Sequence, residues 1–181
     1  MSALSPFIDW QIQPRSRRCA LTHNPFQEGE IVYSILARAS AKENWHRLDY
    51  SAQAWSQRPS NLEILCQWQS RYKLPQEPKP APSSTNGDPE ALARSLLLSK
   101  DPNDYPLCTL LALMLERKRK LKFLSRQQDE KGSWLLYEHV ASGETWLIPE
   151  VIPQESDYPK LEMEIRKRLS VSQPGTSTST G

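Results

Sequence analysis

Two hydropathy periods divide this chain. In "EIVYSILA", residues 30–37, Ile31, Tyr33 and Ile35 face one way and Val32, Ser34 and Leu36 the other, the period-two pattern of a strand. "WHRLDY", residues 45–50, supplies a partner across the loop "ASAKEN", giving a hairpin. In "PSNLEILCQWQSRYKL", Leu65, Trp68 and Tyr72 fall at helical spacing, and Ser60 with Glu63 has the spacing of a capping box. This predicts a helix that stops before Pro75, because proline disfavours helical backbone in the residue ahead of it.

A second series begins at "PEALARSLLLSK", a short helix closed by "DPND". Asp104 is placed to cap the following helix, and Pro106 is tolerated in its first turn. "LCTLLALML", residues 107–115, is apolar on nearly every side, as in a helix buried all round. Its continuation, "ERKRKLKF", turns basic, with Leu121 and Phe123 as packing residues of the same helix. "SWLLYEHVASGETWLIP" reads as a second hairpin around Ser142-Gly143. A two-residue loop there pairs His139 with Trp146 and Tyr137 with Ile148, and Leu135 completes one apolar face. "DYPKLEMEIRKRLS" places Tyr158, Leu161, Ile165 and Leu169 on one helical face. Glu162–Arg166 and Glu164–Arg168 are i,i+4 pairs, and the apolar face is expected to pack on the hairpin.

Between the two series, residues 75–89 carry five prolines and almost no large apolar side chain, the composition of an extended linker. Residues 172–181 are a polar tail that lacks the apolar surface to offset its ordering entropy. The expected organisation is therefore a hairpin-helix domain over 4–74, a linker over 75–89, a helical and hairpin domain over 90–171, and a disordered tail. The class is α+β. Alternating βαβ order is absent, which argues against a parallel doubly wound sheet.

Totals narrow the function only a little. The 181 residues carry a net charge of +2, so no global field draws the chain to nucleic acid or membrane, and any such contact needs a local patch. Three well-separated cysteines, Cys19, Cys66 and Cys108, do not make a disulfide framework. The first ten residues lack the pattern of a secretory signal, and residues 107–115 are too short an apolar run to span a bilayer. These features predict a soluble protein of the cytoplasm.

Candidate chemistry is sparse. Arg117, Lys118, Arg119, Lys120 and Lys122, next to Arg126, form a basic run that can contact phosphates or simply complement the negative end of a helix. Arg166–Arg168 and the trio Arg15, Arg17 and Arg18 are possible companions. His23, His46 and His139 must serve any Cys-His or Ser-His scheme, and Cys19 with His139 is the pair considered as nucleophile and base. No GxSxG, HExxH or glycine-rich phosphate loop is present. Six tryptophans are read mainly as core, with one or two partly exposed.

The order of a cysteine-bearing turn (Cys19, His23), a hairpin and a helix over residues 17–73 resembles a treble-clef zinc domain. That resemblance implies a tetrahedral site of about four Cys or His ligands. Cys19, His23, Cys66 and His46 are the candidates, and they lack the paired CxxC spacing, so a metal-free relative is expected. "CALTHNPFQEGEIVYSIL", "RLDY" and "LALMLERKRKLK" also resemble uncharacterised bacterial proteins, a resemblance that implies no activity. The resulting expectation is a non-enzymatic interaction or adaptor protein without a cofactor, with an unidentified protein partner. The alternative is a nucleic-acid-associated protein using the basic run, and a small Cys/His enzyme comes third.

Overall fold

A computed structural model describes residues 12–74, 87–129 and 132–171. Most of the linker expected over 75–89, and the tail over 172–181, lie outside the described residues. The chain is α+β, with antiparallel strand pairing throughout the named strands. The strands are β1 (Ile12–Gln13), β2 (Ile31–Arg38), β3 (His46–Ser51), β4 (Glu63–Arg71), β5 (Leu121–Asp129), β6 (Gly132–His139) and β7 (Thr145–Pro149). The helices are α1 (Ala52–Trp55), α2 (Pro89–Ser99), α3 (Tyr105–Arg117) and α4 (Tyr158–Val171).

The first sheet has the order β3-β2-β4. The expected hairpin is its β2–β3 pair, in the register Ser34 opposite Asp49 and Leu36 opposite Arg47. The helix expected after Ser60 is instead β4. Val32, Ile35 and Leu36 are fully buried, which makes β2 a central strand. β3 satisfies only one of its edges, and the remaining backbone N–H and C=O groups require a second partner. β4 supplies it, with Trp68 opposite Ser34 and Cys66 opposite Leu36. Period two thus prevails over the helical spacing of Leu65, Trp68 and Tyr72. The helix that does follow the hairpin is the single turn α1, whose N-cap Ser51 accepts a hydrogen bond from the Ala54 N–H.

The second sheet has the order β1-β7-β6-β5. α3 ends at Arg117, and Arg119 then takes a left-handed conformation with φ 57°. That turns the chain out of the helix, so Leu121 and Phe123 belong to β5 and not to a helix extension. The β6–β7 hairpin forms with a longer loop than expected. His139 and Glu144 close it by a backbone hydrogen bond, and the register is shifted so that Tyr137 faces Trp146 and Leu135 faces Ile148. The shift is by two residues, which preserves which side chains share a face. Leu135, Tyr137, His139, Trp146 and Ile148 are accordingly all buried.

Helices cover that face. Asp88 caps α2, accepting from the Glu90 N–H, and Pro89 opens it. Asp104 sits at the start of α3 but makes no capping bond; it pairs with Arg168 of α4 at 2.9 Å. Leu107, Leu111, Ala112 and Leu115 of α3 enter the core, whereas Leu113 and Met114 are exposed, so α3 is buried on one broad face and not all round. Both charge pairs expected along α4 are present. Its Leu161, Ile165 and Leu169 join the cluster built by α2, α3 and the sheet. The main helical neighbours of α4 are α2 and α3, and it reaches the hairpin only through the shared cluster.

A second cluster lies between the sheets, where Leu36, Trp45, Trp134, Leu136 and Leu147 are buried together, flanked by Leu65, Cys66 and Trp68. The two sheets therefore share an apolar interior. A third cluster holds Cys19, Phe26, Tyr50 and Tyr72 around the first sheet. Truncating Leu136 to Ala, at a fully buried position between the sheets, is expected to lower stability by about 2–5 kcal/mol. Urea unfolding checks this, with loss of both sheets in one transition as the expected form.

Candidate functional site: a basic cleft between the sheets

Besides apolar residues, the inter-sheet layer holds two buried arginines and two buried carboxylates. On β3, Arg47 Nε donates to Asp49 Oδ1 at 2.9 Å, and the exposures of the two side chains are 2% and 0%. Ser34 Oγ donates to Asp49 Oδ1 at 2.5 Å, and the Ser16 N–H to Oδ2 at 2.8 Å. Arg47 lies over the Trp68 ring and reaches across the layer to donate to the Gly143 carbonyl. Arg15, leaving β1, donates from Nη2 to Glu138 Oε1 of β6 at 2.9 Å and to Ser70 Oγ of β4 at 3.0 Å. Its Nη1 donates to the Arg71 carbonyl at 3.3 Å.

Gly143 sits between these arginines. Its φ is +68°, and a Cβ there would fall 2.2 Å from the Arg15 guanidinium. Both the left-handed backbone and the close approach require glycine.

Outward from the Arg15–Glu138 pair the sheets part, leaving a cleft of about 340 Å³. Arg15, Arg71, Lys73 and Lys122 bring four cations to it, and among the described residues Glu138 is the one carboxylate in its lining; Ile31 and Val140 form aliphatic wall. Glu138 is already taken by Arg15. Arg71 donates only to a backbone carbonyl, that of Gly29. Among the described residues no carboxylate pairs with Lys73 or Lys122. A concave surface with this excess of positive charge raises the local concentration of anions.

The basic run expected from the sequence is distributed among different settings. Lys122 lines the cleft. Lys120 is bound to Glu90 at 3.0 Å, with Asp88 at 3.9 Å, and its amine is held more firmly protonated by that contact. Arg117, Lys118 and Arg119 are exposed at the α3–β5 turn. The Arg166–Arg168 run is engaged along α4, where Arg166 pairs with Glu162 and Arg168 with Glu164 and Asp104. Of the early arginines, Arg17 and Arg18 stay exposed while Arg15 is buried.

Cys19 and His139 have separate surroundings. The His139 ring stacks on Trp146, with Nε2 3.0 Å from Glu90 and Nδ1 2.7 Å from Ser142 Oγ. Burial pushes the Cys19 thiol up, but hydrogen bonds from Thr22, through its side chain and backbone, and from the Ser51 and Leu21 backbones outweigh it and bring the thiol to about 7. Burial raises Cys66 to about 11 and Cys108 to about 12. The donors around Cys19 are thus N–H groups and a hydroxyl, which suit a thiolate and not a zinc ion. Cys66 lies on β4 against the other sheet, and α1, Ala52–Trp55, holds neither Cys nor His. Among the described residues no three His, Cys, Asp or Glu side chains converge as metal ligands. Of the tryptophans, Trp55 and Trp68 are half-buried, Trp45, Trp134 and Trp146 are buried, and Trp10 lies outside the described residues.

Among the described residues no helix is long and apolar enough to cross a membrane. Comparison with protein-family models, with curated proteins and with solved structures finds no match to this chain.

Two outcomes follow from this geometry. Glu138→Gln leaves the Arg15 guanidinium buried without its counter-charge and is expected to destabilise by about 3 kcal/mol. Pairing it with Arg15→Met should recover part of that loss in urea melts. For Cys19, a folded thiol near 7 against an unfolded one near 8.5 means the unfolded chain binds more protons between these values. Stability should therefore rise from pH 7 to pH 9 and fall as pH drops through 7, a slope that Cys19→Ala removes from the melting temperature.

Proposed function

We propose that this protein is a non-enzymatic binding module that captures an anionic partner in the cleft between its sheets. The observation that carries the reading is the convergence of Lys73, Lys122 and Arg71 on a cleft whose only lining carboxylate among the described residues is bonded to Arg15. Unpaired ammonium groups in a concavity have no role in holding the sheets together; a ligand's negative charge would give them one. The interaction protein expected from the sequence is thereby given a surface. Arg117, Lys118 and Arg119, exposed at the turn that leads into β5, would extend that surface for a longer polyanion such as RNA. Three free cysteines, two with thiols raised by burial, fit a reducing cytoplasm.

The test is fluorescence anisotropy with labelled polyglutamate and a labelled single-stranded oligonucleotide. Binding to at least one is expected at about 50 mM salt, with a steep fall by about 200 mM as counterions compete. The double reversal Lys73→Glu with Lys122→Glu is expected to weaken it at least tenfold. Absence of binding to either probe at low salt overturns the reading, as does binding indifferent to the double reversal.

A further inference from the structure

The cleft carries more information than its sign. Resting on the anion-binding reading, we infer that its occupant is an acidic peptide segment in extended conformation, with carboxylates at alternate positions, lying between the edges of β4 and β5.

Four observations support a peptide. The cleft is flanked by the outer strand of each sheet, β4 in one and β5 in the other. An edge strand presents backbone donors and acceptors to an incoming extended chain, which is how peptides add to sheets. The cations on the β4 side are spaced for such a chain. Arg71 and Lys73 both line the cleft and stand two apart in the chain at the end of β4. Side chains two apart on extended backbone stand roughly 7 Å from one another. An extended partner with acidic residues at i and i+2 matches that interval, and adjacent acidic residues do not, since their side chains point to opposite sides.

The third observation is Lys122 on the facing wall, opposite Glu138 in the β5–β6 register. Arg15 neutralises Glu138, so Lys122 remains for a carboxylate entering from the β4 side. Finally, the rest of the wall is Ile31, Val140 and Gln69. Aliphatic carbons and an amide suit the stems and main chain of a peptide. Among the described residues, no aromatic platform of the kind on which proteins stack the bases of single-stranded nucleic acid lines the cleft.

The experiment compares three labelled probes of equal net charge: a ten-residue peptide with glutamates at alternate positions among threonines, a peptide of the same composition with its glutamates in one block, and a shorter oligonucleotide with the same number of charges. Anisotropy titrations use the full chain at low salt. The alternating peptide is expected to bind at least fivefold tighter than the blocked one and tighter than the oligonucleotide. Lys73→Glu and Lys122→Glu should each erase that preference, with circular dichroism confirming that these exposed substitutions leave the fold intact. Equal affinity for the two peptides, or tighter binding of the oligonucleotide, overturns the peptide inference while leaving an anion-binding cleft in place. No binding of any probe removes both readings together.

Discussion

The two sheets of this protein are joined by buried charge as well as by apolar contact. Taking a guanidinium and a carboxylate out of water is expensive, and their attraction offsets this only when geometry and further hydrogen bonds are good. Arg47 and Asp49 meet that condition, since Asp49 also accepts from Ser34 and from the Ser16 backbone. Arg15 and Glu138 meet it in part: Nη1 and Nη2 also donate to the Arg71 carbonyl and to Ser70, whereas the Arg15 Nε is buried without a partner among the described residues. These pairs constrain direction, which leucines alone do not. Arg15 needs Glu138 of one sheet and Ser70 of the other at once, so only one relative placement of the sheets satisfies it. The apolar residues Leu36, Trp134, Leu136 and Leu147 exclude water beside it.

That placement also creates the cleft. The same Arg15 that links the sheets forms the floor from which they part, and Glu138 is spent in the link. What remains toward solvent is positive. A structural requirement at the base thus sets the electrostatic character of the mouth, and Lys73 and Lys122 add to it from opposite walls. Gly143 connects the two roles, because its carbonyl receives Arg47 and its bare Cα admits Arg15.

Much of the architecture was legible in local pattern, and its two failures have different causes. β2, β3 and the β6–β7 hairpin announce themselves by alternation, and α2, α3 and α4 by caps and apolar faces. β4 and β5 do not: β4 takes its identity from β2, a strand distant in sequence, and β5, although it pairs with the next strand β6, is masked by the basic run that reads as a continuation of α3. In β4 the half-buried series Cys66, Trp68 and Ser70 competes with the helical spacing of Leu65, Trp68 and Tyr72, and only the unsatisfied edge of β2 decides between them. In β5 the basic run hides a left-handed residue, Arg119, that no composition reveals. The candidate site suffered accordingly. Lys122 was singled out for its neighbours in sequence, but Arg71, Lys73 and Glu138 were not singled out at all. The useful signal was "SRYK" read as strand, two cations flanking a buried tyrosine, and it is silent when the segment is read as helix.

The short strand β1 joins Ile12 and Gln13 to Trp146 and Thr145, and Arg15 finds Glu138 at a sequence separation of 123. A ribosome releases the chain from its N-terminus, so Arg15 emerges long before the hairpin that receives it. Until that hairpin arrives, the first sheet has one face, including Leu36 and Trp68, without its cover. Such distant closure slows folding and leaves apolar surface open in the interval. The pairing of β1 with β7, and of Arg15 with Glu138, therefore waits for the last hairpin to leave the ribosome, and closing the two sheets on each other is the final step of assembly.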